Sequence, residues 1–167
     1  ATRFGGIVAI KAIDSFSVAT TGSQHEWLGH LRPVWVKRGA LADNVPSTDL
    51  CLTAAHAIYV DGHLVPVGHL VNGMSIVFDV SAHSEPLAFY HIELDHHDVL
   101  DADGAACETL RAIDVQPCAP LLNFSGAQSE IRSRLRSATS ILIDRRQPID
   151  LIRDSLEARG LRLARAA

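Results

Sequence analysis

YVDGHLV, residues 59–65, is the stretch whose reading decides the fold. Asp61-Gly62 is a pair that can adopt the positive φ angles of a two-residue hairpin turn. Tyr59-Val60 and His63-Leu64 are then the arms of an antiparallel hairpin. The same grammar extends outward through residues 1–118. Gly, Pro, Asn and Asp recur every several residues, and short apolar runs lie between them: IVAIKAI, FSVAT, EWLGH, PVWVK, DLCLT, AIYV, SIVFDV, LAFYHIEL and DVLDA. Many short strands at close spacing predict an all-β sandwich or barrel-like body.

Residues 119–167 differ in kind. Ser125 can cap a helix whose apolar positions include Ile131 and Leu135. Pro148 suits the first turn of a second helix, with Leu151, Ile152 and Leu156 on one face and Gly160 near its end. The expected division is therefore a β domain over 1–118 and a helical, Arg-rich extension over 119–167. Residues 123–167 hold nine Arg against five acids. Such a basic face is usually solvated or packed on its own domain, and it could also dock a protein partner or a second copy.

The 167 residues are 47% hydrophobic, enough for one domain with a real core. Only 5% are aromatic, so that core must be Val, Leu, Ile and Ala. The formal charge of −4 gives no reason to expect nucleic acid or an anionic membrane as partner. No apolar run approaches the ~20 residues of a membrane span. The opening ATRFGG has neither an initiator Met nor a signal-peptide pattern, which is expected of a trimmed, processed or partial chain. Cys51, Cys107 and Cys118 form no CxxC pair and are odd in number, so a disulfide framework is not expected. Cys51, inside DLCLT, best suits the role of a buried small hydrophobe.

Polar chemistry concentrates in two places. In CLTAAHAIYVDG, 51–62, a Thr-x-x-His pair follows an apolar run. A strand end followed by a short turn can bring the Thr53 hydroxyl, a backbone N–H and the His56 imidazole to one point. That arrangement can polarise a carbonyl and protonate a departing amide nitrogen. In FYHIELDHHDVLDADG, 89–104, a strand would send Tyr90, Ile92 and Leu94 to one face and His91, Glu93 and Asp95 to the other. His96, His97 and Asp98 fall at its end. His91, Glu93, His96 and His97 could ligate zinc, iron or manganese, although their spacing matches no standard zinc motif. The plain alternative is a solvated polar face. No metal and no cofactor are assigned.

Four segments, in order, resemble the Hint domain, the self-processing module of inteins and hedgehog C-terminal domains, and bacterial Hint-domain proteins in particular. ATRFGGIVAIKAIDSFSVATTG (1–22) is similar to the family's opening block, GTRI followed by a strand. HEWLGH (25–30) is similar to the next strand. RPVWVKRGALADNVPSTDLCLTAAHAIYVDGHLVPVGHLVNGMSI (32–76) is the most specific segment, and FYHIELDHHDVLDADG (89–104) resembles the block ending in HNFLANG. The likeness covers residues 1–110.

The resemblance implies a flat, horseshoe-like disc of short strands, here with an α-helical C-terminal extension. It also implies a reaction: a Cys or Ser at the domain's first position attacks the preceding carbonyl, and the resulting ester or thioester is then resolved. Thr53 and His56 match the positions that assist the first step. His97 matches the later-block His, and Asp98 stands where inteins carry Asn. His91 replaces the intein Asp. The family's nucleophile falls a few residues before the equivalent of Ala1, so the implied partner is a passenger segment upstream, and the chain as given is expected to be inactive. A non-catalytic Hint-like binding or oligomerisation scaffold is the alternative, and a metal-dependent enzyme a third. Bacterial relatives are often parts of exported proteins, which implies an extracellular location.

Overall fold

A computed structural model describes residues 1–18, 29–81, 86–110, 115–122 and 147–166. The helix expected from Ser125, part of the EWLGH run and His83 lie outside the described residues.

Among the described residues, nine strands form three antiparallel sheets. β1 (Ala12–Val18) pairs with β7 (Leu87–Glu93) as a two-stranded ribbon. β2 (Pro33–Val36) lies between β3 (Leu50–Thr53) and β6 (Ile76–Phe78). β4 (Ala57–Val60), β5 (His63–Pro66), β8 (Val99–Ala102) and β9 (Ala105–Glu108) form a sheet in the order β5-β4-β9-β8. The all-β body with a C-terminal helix is the architecture expected from the sequence.

The expected hairpin is present. Val60 faces His63 and Tyr59 faces Leu64, with φ of 47° at Asp61 and 85° at Gly62. A second hairpin of the same kind joins β8 to β9. Asp103 and Gly104 have φ of 53° and 87°, and Ala102 faces Ala105.

The four-stranded sheet is buried on both faces, which is why AIYV is a continuous apolar run and not an alternating one. On one face Ile58 and Val65 join Val34, Val36, Val67, Leu70 and Ile76. On the other, Ala57, Leu64 and Val99 pack beneath Cys118, Ala119 and Leu121. Residues 120–122 run beside β5, where Leu64 N–H donates to Pro120 O and Leu122 N–H to Leu64 O. The core is aliphatic, as the composition requires.

The C-terminal helix, Pro148–Ala166, begins at the expected proline. Its inward face is Ile149, Ile152, Leu156 and Gly160, at helical spacing, all buried in the larger core. Leu151, expected on that face, is 49% exposed, because it lies about 100° round the helix from Ile152. Nor does the helix stop near Gly160. There it presses against the 72–75 loop: a Cβ on Gly160 would lie 3.1 Å from Ser75 Oγ and 3.3 Å from Met74 Cβ. Asn72 organises that loop. Its Oδ1 accepts from the amides of Met74, Ser75 and Ile76, and its Nδ2 donates to Leu156 O at 3.2 Å. Arg159 donates to Gly39 O and pairs with Asp43 at 2.7 Å. Among the described residues, no helix is long and apolar enough to cross a membrane.

Candidate functional site

Thr53 closes β3 opposite Pro33 and is buried. The next three residues turn the chain into β4, and His56 N–H donates to Thr53 O at 2.9 Å. Neighbours clamp this turn on both sides. Ala54 and Ala55 donate to the carbonyls of Arg32 and His30 at 2.8 and 3.0 Å, while Ala54 and His56 accept from Gly68 and Val67, both at 2.9 Å. The approach at Gly68 demands glycine, since a Cβ there would lie 3.0 Å from both Cβ and O of Ala54.

The clamped turn holds the His56 ring against His91, 5.7 Å between centroids at 27°. His91 in turn lies 5.0 Å from Phe16, which stacks on Phe89. Burial pushes the His56 imidazole down to about 4; the Glu108 carboxylate opposes this and His91 adds to it. At neutral pH the ring is therefore uncharged. Its Nε2 is buried and, among the described residues, has no hydrogen-bond partner.

His97 and Asp98 begin the turn into β8 and face opposite ways. The His97 side chain is fully enclosed. Its Nδ1 accepts from Cys118 N–H at 3.0 Å, which places the proton of the neutral ring on Nε2. That Nε2 lies 3.4 Å from Glu108 Oε2. The other Glu108 oxygen accepts from Ala57 N–H, the residue after His56, at 2.7 Å. One carboxylate therefore touches the backbone beside His56 and the ring of His97.

The Asp98 carboxylate is directed at the N-terminal segment. Oδ1 accepts from Phe4 N–H at 3.0 Å and Val99 N–H at 2.7 Å, and Oδ2 from Gly5 N–H at 2.7 Å. Burial alone would raise this acid, but the amides of Val99, Phe4 and Gly5 and the Thr2 hydroxyl together hold it below the usual carboxylate range. Arg3 N–H donates to Val99 O at 2.9 Å, and the Arg3 guanidinium lies 4.6 Å over the Tyr59 ring. Asp98 thus fastens residues 2–6 alongside β8.

The four candidate ligands diverge. His91 packs on His56 and Phe16, Glu93 pairs with Lys11, His96 is exposed, and His97 is enclosed with Glu108. Among the described residues, no three His, Cys, Asp or Glu side chains gather as a metal cluster. The face with His91 is only partly solvated, since His91 and Glu93 are half-buried and Asp95 is exposed. Phe89 is buried and Tyr90 is 68% exposed, so the strand has the expected period but points His91 inward. The three cysteines are free. Cys107 is the buried one, and Cys51 is half-buried; burial pushes both thiols up to about 12.

Glu108 is absent from the sequence-derived candidates. A signal for it existed. Counting back from the Asp103-Gly104 turn pairs residue 105 with 102 and residue 108 with 99, next to His97 and Asp98.

A family model described as Hint domain matches residues 1–114. Searches of curated proteins and of solved structures returned no match.

Proposed function

The chain belongs to the Hint-domain family, whose members are autoprocessing-type domains, and from that premise we propose that it cleaves its own precursor by an acyl shift. The observation that carries this reading is the clamped Thr53–His56 turn with an uncharged imidazole whose buried Nε2 has no partner among the described residues. A neutral imidazole in that position is a base waiting for a proton.

The nucleophile is a Cys or Ser a few residues before Ala1, as the family pattern has it. Its thiol or hydroxyl proton passes to His56 Nε2 while its sulfur or oxygen bonds to the preceding carbonyl carbon. The Thr53 hydroxyl polarises that carbonyl's oxygen. The carbon–nitrogen bond then breaks, and His56 returns the proton to the departing nitrogen. Water or a thiol resolves the ester or thioester and frees the passenger. Asp98, by holding residues 2–6, sets where the incoming chain meets His56. His97 serves the second half.

The test is a precursor in which a passenger and a Cys or Ser upstream of Ala1 are joined to the whole chain. Cleavage is followed by intact mass, with and without added thiol. Release of the passenger, accelerated by thiol when the nucleophile is Cys and abolished by His56→Ala, is the expected result. A precursor that stays whole under both conditions would sink the reading and leave a Hint scaffold that binds without cutting.

A further inference from the structure

We propose that Glu108 is the positioning residue of this site: one carboxylate oxygen fixes the backbone that carries His56, the other lies 3.4 Å from His97 Nε2, and its single negative charge stands beside both imidazoles. The proposal rests on the self-processing reading above and deepens it.

Three observations lead there. Glu108 Oε1 accepts from Ala57 N–H at 2.7 Å, so it pins the exit of the turn whose entrance is pinned through Ala54 and Ala55. Glu108 Oε2 lies 3.4 Å from His97 Nε2, the atom that bears that ring's proton because Cys118 N–H occupies Nδ1. Among the described residues, the His56 and His97 Nε2 atoms are both buried without a hydrogen-bond partner, and the same carboxylate acts on the His56 ring and lies beside that of His97. A buried imidazole pair left with unpartnered nitrogens is costly unless the site uses them.

The role follows from the charge change in the proposed step. When His56 takes the nucleophile's proton it becomes an imidazolium in a place where burial and His91 both disfavour positive charge. Among the described residues, the charged or titratable groups that face it are Glu108 from β9, which opposes this, and His91 from β7. Around His97 the facing groups among the described residues include Glu108, Cys118, whose N–H holds Nδ1, and, beside it in the chain, Asp98, whose carboxylate is occupied by backbone amides. Glu108 therefore stabilises the transient cation on His56 and holds the turn that carries that ring, without touching the reacting atoms.

The test is Glu108→Gln in the whole chain, read by NMR titration of the histidine rings. The amide keeps an acceptor for Ala57 N–H and removes only the charge. The expected result is a His56 midpoint lower by about one pH unit, as for loss of a nearby opposite charge, with the melting temperature unchanged within a few degrees. Superimposable His56 curves in the two proteins would overturn the proposal. The unsubstituted chain provides a second measurement, should the variant fold poorly. There the Ala57 amide shift reports the state of the Glu108 carboxylate, and the His56 ring must change with it; independent changes would also overturn the coupling. In the precursor, Glu108→Gln should slow cleavage about tenfold and move its pH profile. A precursor that never cleaves would remove the proposed function while the titrations still stood, so the two failures are distinguishable.

Discussion

Glu108 Oε2 and His97 Nε2 lie 3.4 Å apart, although eleven positions separate them in the chain. The Asp103-Gly104 hairpin returns β9 along β8 and brings them together. The same carboxylate reaches across to Ala57 in β4, so three neighbouring strands meet at one charge. This convergence joins the end of β9 to the starts of β4 and β8.

Substitution of Thr53 or His56 by Ala should separate chemistry from stability. His56 Nε2 makes no hydrogen bond, so its removal should cost less than about 1–3 kcal/mol, the usual cost of orphaning a buried polar partner. In a cleavage-competent precursor, His56→Ala should slow release by about 10²-fold or more, the scale of a lost general acid–base group. Denaturant midpoints and cleavage rates measured on the same samples check both statements.

Stability should fall as pH drops below about 6.5. His56 is held near 4 in the fold and would titrate near its ordinary value when unfolded. The unfolded chain therefore takes up a proton first, and stability present above pH ~6.5 is lost progressively down to about 4. At about 1.4 kcal/mol per pH unit the loss is on the order of 3 kcal/mol. His56→Gln should flatten that slope; equal slopes in both proteins would show that other groups govern it.

Asp98 gives a different acid response. Its carboxyl is held below the ordinary range, so its contribution is complete above the unfolded value near 4 and disappears as pH falls through the folded value. Asp98→Ala should free residues 2–6 at neutral pH. Amide exchange at Phe4 and Gly5 should accelerate at least tenfold, while Ile58 and Val65 in the core keep their protection. Unchanged exchange at Phe4 and Gly5 would show that the Arg3 and Tyr59 contacts hold the segment by themselves.

Gly62→Val should destabilise the fold by about 1–2 kcal/mol, because φ at this position is 85° and a β-branched residue resists that region. Space does not limit the site, since a Cβ there meets nothing within 4 Å. A neutral result in thermal melting would mean that the turn relaxes into another type.

Ile152→Ala and Leu151→Ala test the docking of the helix. Ile152 is 2% exposed in the core and its truncation should cost about 2–5 kcal/mol. Leu151 faces outward, and its truncation should change stability by less than about 0.5 kcal/mol. Denaturant unfolding of the two variants provides the comparison, and equal costs would place the wrong face against the sheet.

The chain's local rules determined much of this protein. Asp61-Gly62 needs only its own φ preferences to turn the chain, so the hairpin was legible in seven residues. Pro148 likewise marked the start of the helix, and the family blocks pointed to Thr53, His56, His97 and Asp98. What local rules cannot supply is which side of an element meets the core. Tyr90 and Leu151 are apolar enough to be buried, yet both are exposed, because His91 and Ile152 occupy the inward positions. Period is a property of one strand or helix; phase is decided by what packs against it. Glu108 became a candidate only through register, since its partners belong to β4 and the start of β8. The sequence by itself determined the elements and the residues able to do chemistry. Only the tertiary structure decided which of them share a charge, because burial and Coulomb interaction depend on distance in space and not on separation along the chain.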